Sequence, residues 1–259
     1  MDAMQVYRGL DRGTAKPSPE EQLHFSYGGI NLVDWQEPFS VADYREHARA
    51  FLELCARRGR PVIVVGGTGL YYRSMVGGLC EAPPGNAALR EELGTLSVPE
   101  LAGRLAGIDP EAFARIDRCN PRRLIRAIEV KEITGVSLLE WQQRTTRPLL
   151  QRFRTLWLER TAEPLRRRII ARVSSMFASG WVEEVAERLR EAGPEVFSRC
   201  PAIGYARIAR WLVRGGDRAR LEEEIARDTY RYARKQLTWF RKESSIHDHL
   251  VLEENGPLP

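Results

Sequence analysis

A run of β-branched residues that ends in a glycine-rich turn places the tightest constraint on the fold. Residues 60–72 read RPVIVVGGTGLYY, with an apolar side chain at every position from Val62 to Val65. Such a run is typical of a strand buried on both faces of a parallel sheet. The stretch before it predicts a helix, because Ser40 suits an N-cap and apolar residues recur at helical spacing up to Gly59. A helix followed by a buried strand predicts an α/β fold.

The glycines of this turn have two interpretations. The sequence VVGGTG lacks the lysine of a GxxxxGK(S/T) phosphate loop, so the turn is not of that kind. The glycines either make a tight turn between strand and helix or let the backbone approach a ligand closely. Thr68 is correspondingly a plain turn hydroxyl or a ligand contact.

The middle of the chain predicts a helical segment instead. After CEAPPGN, the sequence favours short helices at 87–93, 99–106, 110–116, 121–134 and 137–144. The fourth of these is the best defined. It has Asn120 as N-cap, Pro121 at the first helical position and Gly135 just past its end.

The α/β pattern resumes after this segment. FRTLWLE predicts a strand, and Thr161 caps a helix that Gly180 closes. The last long helix runs from about Leu221 to Arg241. We therefore expect an α/β core of residues 1–80 and 148–259, interrupted by a helical insertion at residues 81–147.

Composition excludes several classes of protein. No run approaches the roughly 18 apolar residues of a membrane span, no signal-peptide pattern is visible, and the four cysteines lie far apart without metal-type spacing. We expect reduced thiols in a cytoplasmic protein. The net charge is +5, and 36 of the 40 basic residues are arginine. This skew reflects either GC-rich codon usage or the recognition of phosphate, whose oxygens match the guanidinium fork.

Basic residues cluster on three of the predicted helices, at helical spacing within each cluster. Helix by helix they are Arg122, Arg123 and Arg126; Arg168 and Arg172; and Arg227, Arg231, Arg234 and Arg241, with Lys235 alongside. A solvated face is the usual explanation for a single such helix. Three of them in one chain favour a polyanionic partner.

Two aspartates lie in polar sequence near the start of the chain. DAMQVYRGLDRG is typical of a strand end that runs into a loop, where ligand-binding residues often lie. Asp2 and Asp11 are therefore either solvated loop residues or groups with a chemical role. The four histidines are scattered, and neither a Ser-His-Asp nor a Cys-His arrangement can be recognised.

Six blocks of sequence together resemble the tRNA dimethylallyltransferases. They occur in the order of that family and cover nearly the whole chain: DAMQVYRGLDRGTAKP, PVIVVGGTGLYYRSMVGGL, NPRRLIRAIEVKEITG, RRRIIARVSSMFASGWVEEV, AIGY and ARKQLTWFR. The resemblance implies a core similar to that of P-loop kinases, with a helical insertion that grips the anticodon stem-loop of tRNA. It also implies an activity, the transfer of a dimethylallyl group from dimethylallyl diphosphate to the N6 amine of the adenosine just 3′ of the anticodon. Mg²⁺ is implied as the cofactor.

The resemblance implies roles for individual residues as well. Asp2 matches the general base, Arg172 matches an arginine that holds the diphosphate, and Arg168 lies one turn away. The positions implied to contact the nucleotide or line the tRNA channel are Ala3, Met4, Gln5 and Thr68. The insertion is implied to bind tRNA through Arg90, Arg122, Arg123 and Arg126, and the C-terminal helix through Arg234, Lys235, Gln236, Thr238 and Arg241.

Physical chemistry agrees with these implied roles. A stacked base cannot reach a buried electrophile, so it has to be extruded into a pocket at a cost of a few kcal/mol. Phosphate contacts from several arginine faces can offset that cost, with a strong dependence on salt. A diphosphate leaving group needs cations as its charge develops.

The largest departure from the family lies before Asp2. There the family has a first strand, a GxxxxGK(S/T) loop that wraps the diphosphate and a first helix, and none of these precedes Asp2 in this sequence. We therefore expect an N-terminally truncated chain that is inactive and poorly folded. Separately, we expect a monomer. One alternative is a non-catalytic remnant that grips the anticodon arm of tRNA. Another is a P-loop kinase relative acting on a small molecule, which the basic faces and the ARKQLTW block disfavour.

Overall fold

The computed structural model describes residues 1–198 and 200–252. The chain divides into two compact units. Unit 1 is discontinuous and consists of Met1–Val76 and Leu150–Pro259. Unit 2 is the continuous segment Gly77–Leu149.

The secondary structure of the described residues is mostly helical, with four short strands. The strands are β1 (Tyr7–Arg8), β2 (Val33–Asp34), β3 (Leu156–Arg160) and β4 (Asp248–Leu252). Before residue 150 the helices are α1 (Pro19–His24), α2 (Val41–Arg57), α3 (Gly69–Val76), α4 (Ala87–Gly94), α5 (Val98–Ile108), α6 (Pro110–Arg115), α7 (Pro121–Thr134) and α8 (Leu138–Trp141). The later helices are α9 (Ala162–Ala178), α10 (Trp181–Ala192), α11 (Pro194–Phe197), α12 (Tyr205–Arg214) and α13 (Arg218–Phe240).

Two small parallel sheets, both in unit 1, contain these strands. In the first, β1 pairs with β2, with Tyr7 opposite Val33. In the second, β3 pairs with β4 from Leu156 opposite Asp248 to Arg160 opposite Leu252. The strand predicted at FRTLWLE is thus confirmed as β3, and parallel pairing between distant segments agrees with an α/β class.

The buried strand predicted at Val62–Val65 is wrong. Residues 60–68 form no strand, and Ile63 and Val65 are 87% and 74% exposed. A parallel strand needs hydrogen-bonded neighbours on its edges, and the ladders that the described residues form are β1–β2 and β3–β4. The β-branched run therefore has no partner strand among the described residues.

The helix predictions with well-defined caps are confirmed. Ser40 closes a capping box at the start of α2, and α7 runs from Pro121 to Thr134, with Asn120 accepting a cap hydrogen bond and Gly135 in the left-handed region at φ 70°. The helix predicted to end at Gly180 is α9, which ends at Ala178. Gly180, at φ 96°, begins α10 instead.

Each unit has an apolar core of its own. Unit 1 buries large aromatic side chains, with Trp181 edge-on to both Phe177 and Tyr205. Unit 2 packs leucine and isoleucine from α5 and α7 with Leu93 of α4. Within the described residues, no helix combines the length and the apolar character needed to cross a bilayer.

Candidate active site

Asp2 sits in a tight turn that occupies one of its carboxylate oxygens. Its Oδ1 accepts hydrogen bonds from the backbone N–H of Met4 at 2.7 Å and of Gln5 at 3.3 Å. This pattern is an Asx-type turn, which an aspartate forms with its own following backbone. No described residue donates a hydrogen bond to the other oxygen, Oδ2. The side chain is therefore fixed in orientation while one oxygen stays available to a ligand.

The glycine-rich turn of residues 65–69 holds this Asp2 turn in place. The Met1 amino group donates to the carbonyl of Val65 at 2.6 Å, and the N–H of Ala3 donates to Oγ1 of Thr68 at 3.1 Å. A Cβ at Gly66 would collide with the Met1 carbonyl, so a side chain there would prevent this approach. The glycines therefore allow a close approach by groups of the protein itself, while the approach of a ligand to this turn stays a prediction.

Helix α13 contacts the same turn from another part of the chain. Gln236 donates its Nε2 to the carbonyl of Gly67 at 3.0 Å, and a Cβ at Gly67 would collide with that amide. The Tyr232 hydroxyl is hydrogen-bonded to the side chains of both Thr68 and Gln236. We call Asp2, Thr68, Tyr232 and Gln236 the Asp2 site. Sequence reasoning did not assign a role to Tyr232. Its spacing of four residues before Gln236 on one helix face is the signal that could have identified it.

The negative charge of the Asp2 carboxylate acts on the phenol groups of three tyrosines. Burial raises the pKa of Tyr232, and the negative charge of Asp2 raises it further. Burial and the charge of Asp2 likewise raise the pKa of Tyr44 to about 12. Tyr71 stacks on Tyr44 with ring centroids 3.9 Å apart, and its pKa is raised mainly by burial. All three hydroxyls therefore stay protonated near neutral pH, in an aromatic setting next to a carboxylate.

The side-chain amide nitrogen of Gln5 is hydrogen-bonded to the loop that follows in the sequence. Its Nε2 donates to the carbonyls of Thr14 and Ala15, each at 3.0 Å. Lys16 closes the same loop, with its Nζ bonded to Asp11 Oδ1 at 2.5 Å, Tyr7 O at 2.6 Å and Asn31 Oδ1 at 2.7 Å. The Asp11 carboxylate, one of the two candidates from the sequence, thus has a structural partner in Lys16.

A second clamp on this loop comes from α10 and α12. Glu184 accepts the N–H groups of Asp11 and Arg12 at its Oε2 and the hydroxyl of Tyr205 at its Oε1, the last at 2.6 Å. The Tyr205 oxygen in turn accepts the N–H of Gly13 at 3.2 Å. Neither Glu184 nor Tyr205 was singled out from the sequence, because the loop residues that they bind lie more than 170 residues away along the chain.

Some of the site residues predicted on α9 and α13 form hydrogen bonds or ion pairs with other protein groups that the structure describes, and others do not. Arg168 and Arg172 on α9 are exposed, and within the described ranges neither forms an ion pair or a hydrogen bond to the Asp2 turn. Arg234 and Lys235 on α13 likewise have side chains without a partner among the described residues. Thr238 and Arg241 do have partners, since Thr238 Oγ1 donates to the carbonyl of Arg234 and Arg241 Nη2 bonds Glu159 Oε1 at 2.6 Å.

The predicted arginines of unit 2 also fall into two groups. Arg90 and Arg126 both bind the carboxylate of Glu129, a buried residue on α7. Arg122 has no ion pair among the described residues, and Arg123 has only a distant one, 4.0 Å from Asp117. Of the four predicted arginines, two are therefore held by a buried carboxylate and two are not.

A metal site built by the protein alone is not found in the part of the chain that the structure describes, where no cluster of three or more His, Cys, Asp or Glu side chains occurs. The Asp2 site offers one carboxylate and one threonine hydroxyl. This donor set does not by itself hold a metal ion, although Mg²⁺ is often bound by one carboxylate together with substrate phosphates.

Comparison with known proteins connects this geometry to a family. The IPP transferase family model matches residues 5–243. The tRNA dimethylallyltransferase of Methylacidiphilum infernorum (isolate V4) is 46% identical over 252 residues, which are 97% of this chain and 77% of that protein. The corresponding protein of Syntrophobacter fumaroxidans is 40% identical, over 93% of this chain and 72% of its own length.

Solved structures agree with the sequence comparison. The tRNA isopentenylpyrophosphate transferase of Bacillus halodurans superposes with a TM-score of 0.64 at 31% identity, over 96% of this chain and 79% of that one. A eukaryotic dimethylallyltransferase acting on tRNA gives a TM-score of 0.80 at 24% identity, over 96% of this chain and 66% of that one, which is a likeness of fold. The predicted fold class and the resemblance are confirmed, and the chain belongs to the IPP transferase family of tRNA prenyltransferases.

Proposed function

We propose that this chain transfers a dimethylallyl group from dimethylallyl diphosphate to the N6 amine of the adenosine just 3′ of the anticodon in tRNA. The names of the relatives support the reaction class. The observation that carries the proposal for this chain is the Asp2 carboxylate, with Oδ1 fixed by Met4 and Gln5 and Oδ2 left without a protein donor.

The proposed reaction assigns one proton transfer to Asp2. The amine nitrogen forms a bond to C1 of the dimethylallyl group, the bond from C1 to the diphosphate oxygen breaks, and diphosphate leaves with the electron pair. The nitrogen then carries a surplus proton, which Asp2 Oδ2 accepts as general base. Tyr232, the exposed one of the three tyrosines Tyr44, Tyr71 and Tyr232 at 44%, favours a flat aromatic base near this oxygen, since bases stack on aromatic side chains.

The cationic residues are proposed to bind the anionic parts of both substrates. Arg172, with Arg168 one turn away, binds the diphosphate, because these guanidinium groups have no ion pair within the described residues and match phosphate oxygens. Arg234 and Lys235 on α13, together with Arg122 of unit 2, bind tRNA phosphates. Mg²⁺ would accompany the diphosphate oxygens and neutralise charge on the leaving group.

The test is single-turnover transfer from labelled dimethylallyl diphosphate to an unmodified tRNA transcript, with tRNA affinity measured in parallel. We expect Asp2→Asn to keep its tRNA affinity and to lose about 10²–10⁴-fold in rate, as other general bases do. Asp34→Asn is the matched control, since Asp34 also accepts a local backbone N–H, from Gln36 at 3.3 Å, but lies outside the Asp2 site. A normal rate for Asp2→Asn would refute its assignment as base.

The same assay separates the two proposed groups of cations. Arg172→Ala should impair use of the prenyl donor with tRNA affinity intact, whereas Arg122→Ala should weaken tRNA binding and flatten its salt slope by about one unit. The reverse pattern would show that the two roles are wrongly divided. Binding of tRNA by the unaltered chain with no transfer at all would favour the alternative, a non-catalytic anticodon-arm-binding protein.

A further inference from the structure

A fully buried carboxylate lies beneath the basic residues of unit 2. Glu129 of α7 has no exposed side-chain surface, yet each of its oxygens binds a guanidinium group. Oε1 accepts Arg90 Nε at 2.8 Å and the N–H of Asn86 at 2.6 Å. Oε2 accepts Arg90 Nη2 at 3.0 Å and Arg126 Nη1 at 2.6 Å. One anion therefore orders two cations and the loop that begins α4.

Arg90 and Arg126 are each bonded to the buried Glu129 carboxylate, and each side chain is also partly exposed. Their side chains are 52% and 28% exposed for Arg90 and Arg126, although both hold the buried carboxylate. Arg126 is further fixed by its Nη2, which donates to the carbonyl of Pro83 at 2.6 Å. Gly85 packs so closely on the Arg90 guanidinium that a Cβ there would collide with it. Both side chains are thus partly exposed while their guanidinium groups hold defined positions.

Because unit 2 has no net charge, the placement of its basic side chains matters more for binding a polyanion than their number. Residues 77–149 contain ten basic and ten acidic residues, so the unit has no formal net charge to attract a polyanion. Two arginines around one carboxylate nevertheless leave a local charge of +1. An arginine that is already ordered loses less rotamer freedom when it binds a phosphate oxygen. Arg122 has no such support and has to be ordered by the ligand.

We propose that Glu129 is a positioning residue that holds Arg90 and Arg126 in the geometry that binds tRNA phosphates. This inference rests on the proposed function, because it takes tRNA as the anionic ligand of unit 2. Glu129 itself touches no substrate. It acts only through the two guanidinium groups that it orients.

Removal of the carboxylate charge separates positioning from simple electrostatics. Glu129→Gln raises the local charge from +1 to +2, so a purely electrostatic surface would bind tRNA more tightly. A positioning residue predicts the opposite sign, because the amide cannot accept from both arginines in the original geometry and both guanidinium groups lose their fixed orientation.

The experiment measures the affinity of the full chain for an unmodified tRNA transcript at several salt concentrations. We expect Glu129→Gln to weaken binding about 10-fold and to flatten the salt slope by about one unit for each phosphate contact that is lost. Glu132→Gln is the matched control. Glu132 lies on the same helix, and its carboxylate pairs with Arg104 instead, so it changes the charge of unit 2 equally. We expect Glu132→Gln to leave affinity unchanged or slightly higher.

A second variant tests the same inference if Glu129→Gln does not fold. Arg90→Lys keeps the positive charge but loses the two-pronged contact with Glu129, and we expect it to weaken tRNA binding by a similar factor. The inference is overturned if Arg90→Lys or a folded Glu129→Gln binds tRNA as tightly as the unaltered chain or more tightly. If the unaltered chain does not bind tRNA, the proposed function fails, and this inference fails with it.

Discussion

The hydroxyl of Tyr205 provides the sharpest test of how the loop after Asp2 is supported. Tyr205 is completely buried, donates to Glu184 Oε1 at 2.6 Å and accepts the N–H of Gly13 at 3.2 Å. The change Tyr205→Phe removes this one oxygen and leaves the ring packed edge-on against Trp181. The perturbation therefore isolates the two hydrogen bonds from the packing.

The expected cost follows from those two contacts. A hydrogen bond to a charged acceptor contributes about 1.5–3 kcal/mol, and an unsatisfied buried donor costs about 1–3 kcal/mol. Glu184 keeps the N–H groups of Asp11 and Arg12 at its other oxygen, which limits the loss. We therefore expect Tyr205→Phe to lower the free energy of unfolding by about 2–3 kcal/mol, against a typical total of about 5–15 kcal/mol. Burial also raises the pKa of Tyr205 strongly, so the hydroxyl stays protonated and able to donate up to mildly alkaline pH.

Thermal unfolding of unit 1, followed by circular dichroism and tryptophan fluorescence, measures this loss. For a chain of this size the change corresponds to a decrease of about 4–12 °C in Tm. Tyr27→Phe is the control, since Tyr27 is exposed and its hydroxyl has no partner among the described residues. A Tm for Tyr205→Phe that matches the control would show that the Glu184–Tyr205 clamp does not support the loop.

Two further predictions concern buried charges. Lys16→Met removes a cation whose side chain is only 2% exposed and leaves the Asp11 carboxylate without its partner; we expect a loss of about 1–3 kcal/mol in the urea unfolding free energy, and an unchanged midpoint would contradict it. Burial raises the pKa of Glu129, but hydrogen bonds from its arginine and backbone partners lower it by more, so the net pKa lies below the ordinary 4.5. A depressed carboxylate pKa gives stability that is complete above about pH 4.5 and is lost as pH falls through the folded-state value. Glu129→Gln should therefore flatten the acid limb of the stability profile, and an unaltered acid limb would contradict this.

Local signals in the sequence predicted the helix ends well. At α7, the side chain of Asn120, the ring of Pro121 and the missing Cβ of Gly135 each act on backbone groups within a few residues. At α2, the capping box of Ser40 and Asp43 is equally local. Such signals depend on neighbours along the chain, so one sequence is sufficient to recognise them.

Contacts between distant segments could not be predicted in the same way. The run Val62–Val65 indicates side chains suited to burial, but a strand also needs partner strands, which the run itself does not specify. Glu129 illustrates the same limit within one site, because its i,i+3 partner Arg126 is visible on the helix whereas Arg90 lies 39 residues away. Of the predicted active-site residues, Asp2, Ala3, Thr68 and Gln236 do come together, while Tyr232 was missed.

The discontinuity of unit 1 has a consequence for the order in which the chain can fold on the ribosome. Unit 2 is one continuous segment, so all of its partners have been synthesised once residue 149 has emerged. The loops of residues 1–76 cannot reach their final structure at that point. The side chains that hold them, Glu184, Tyr205 and Gln236, are synthesised only later. At translation rates of about 5–20 residues per second, this delay is on the order of ten seconds. During that interval the loop of Asp11 to Gly13 and the Gly67 turn have been synthesised but lack the side chains that hold them, so unit 1 completes its fold after unit 2 has formed its core.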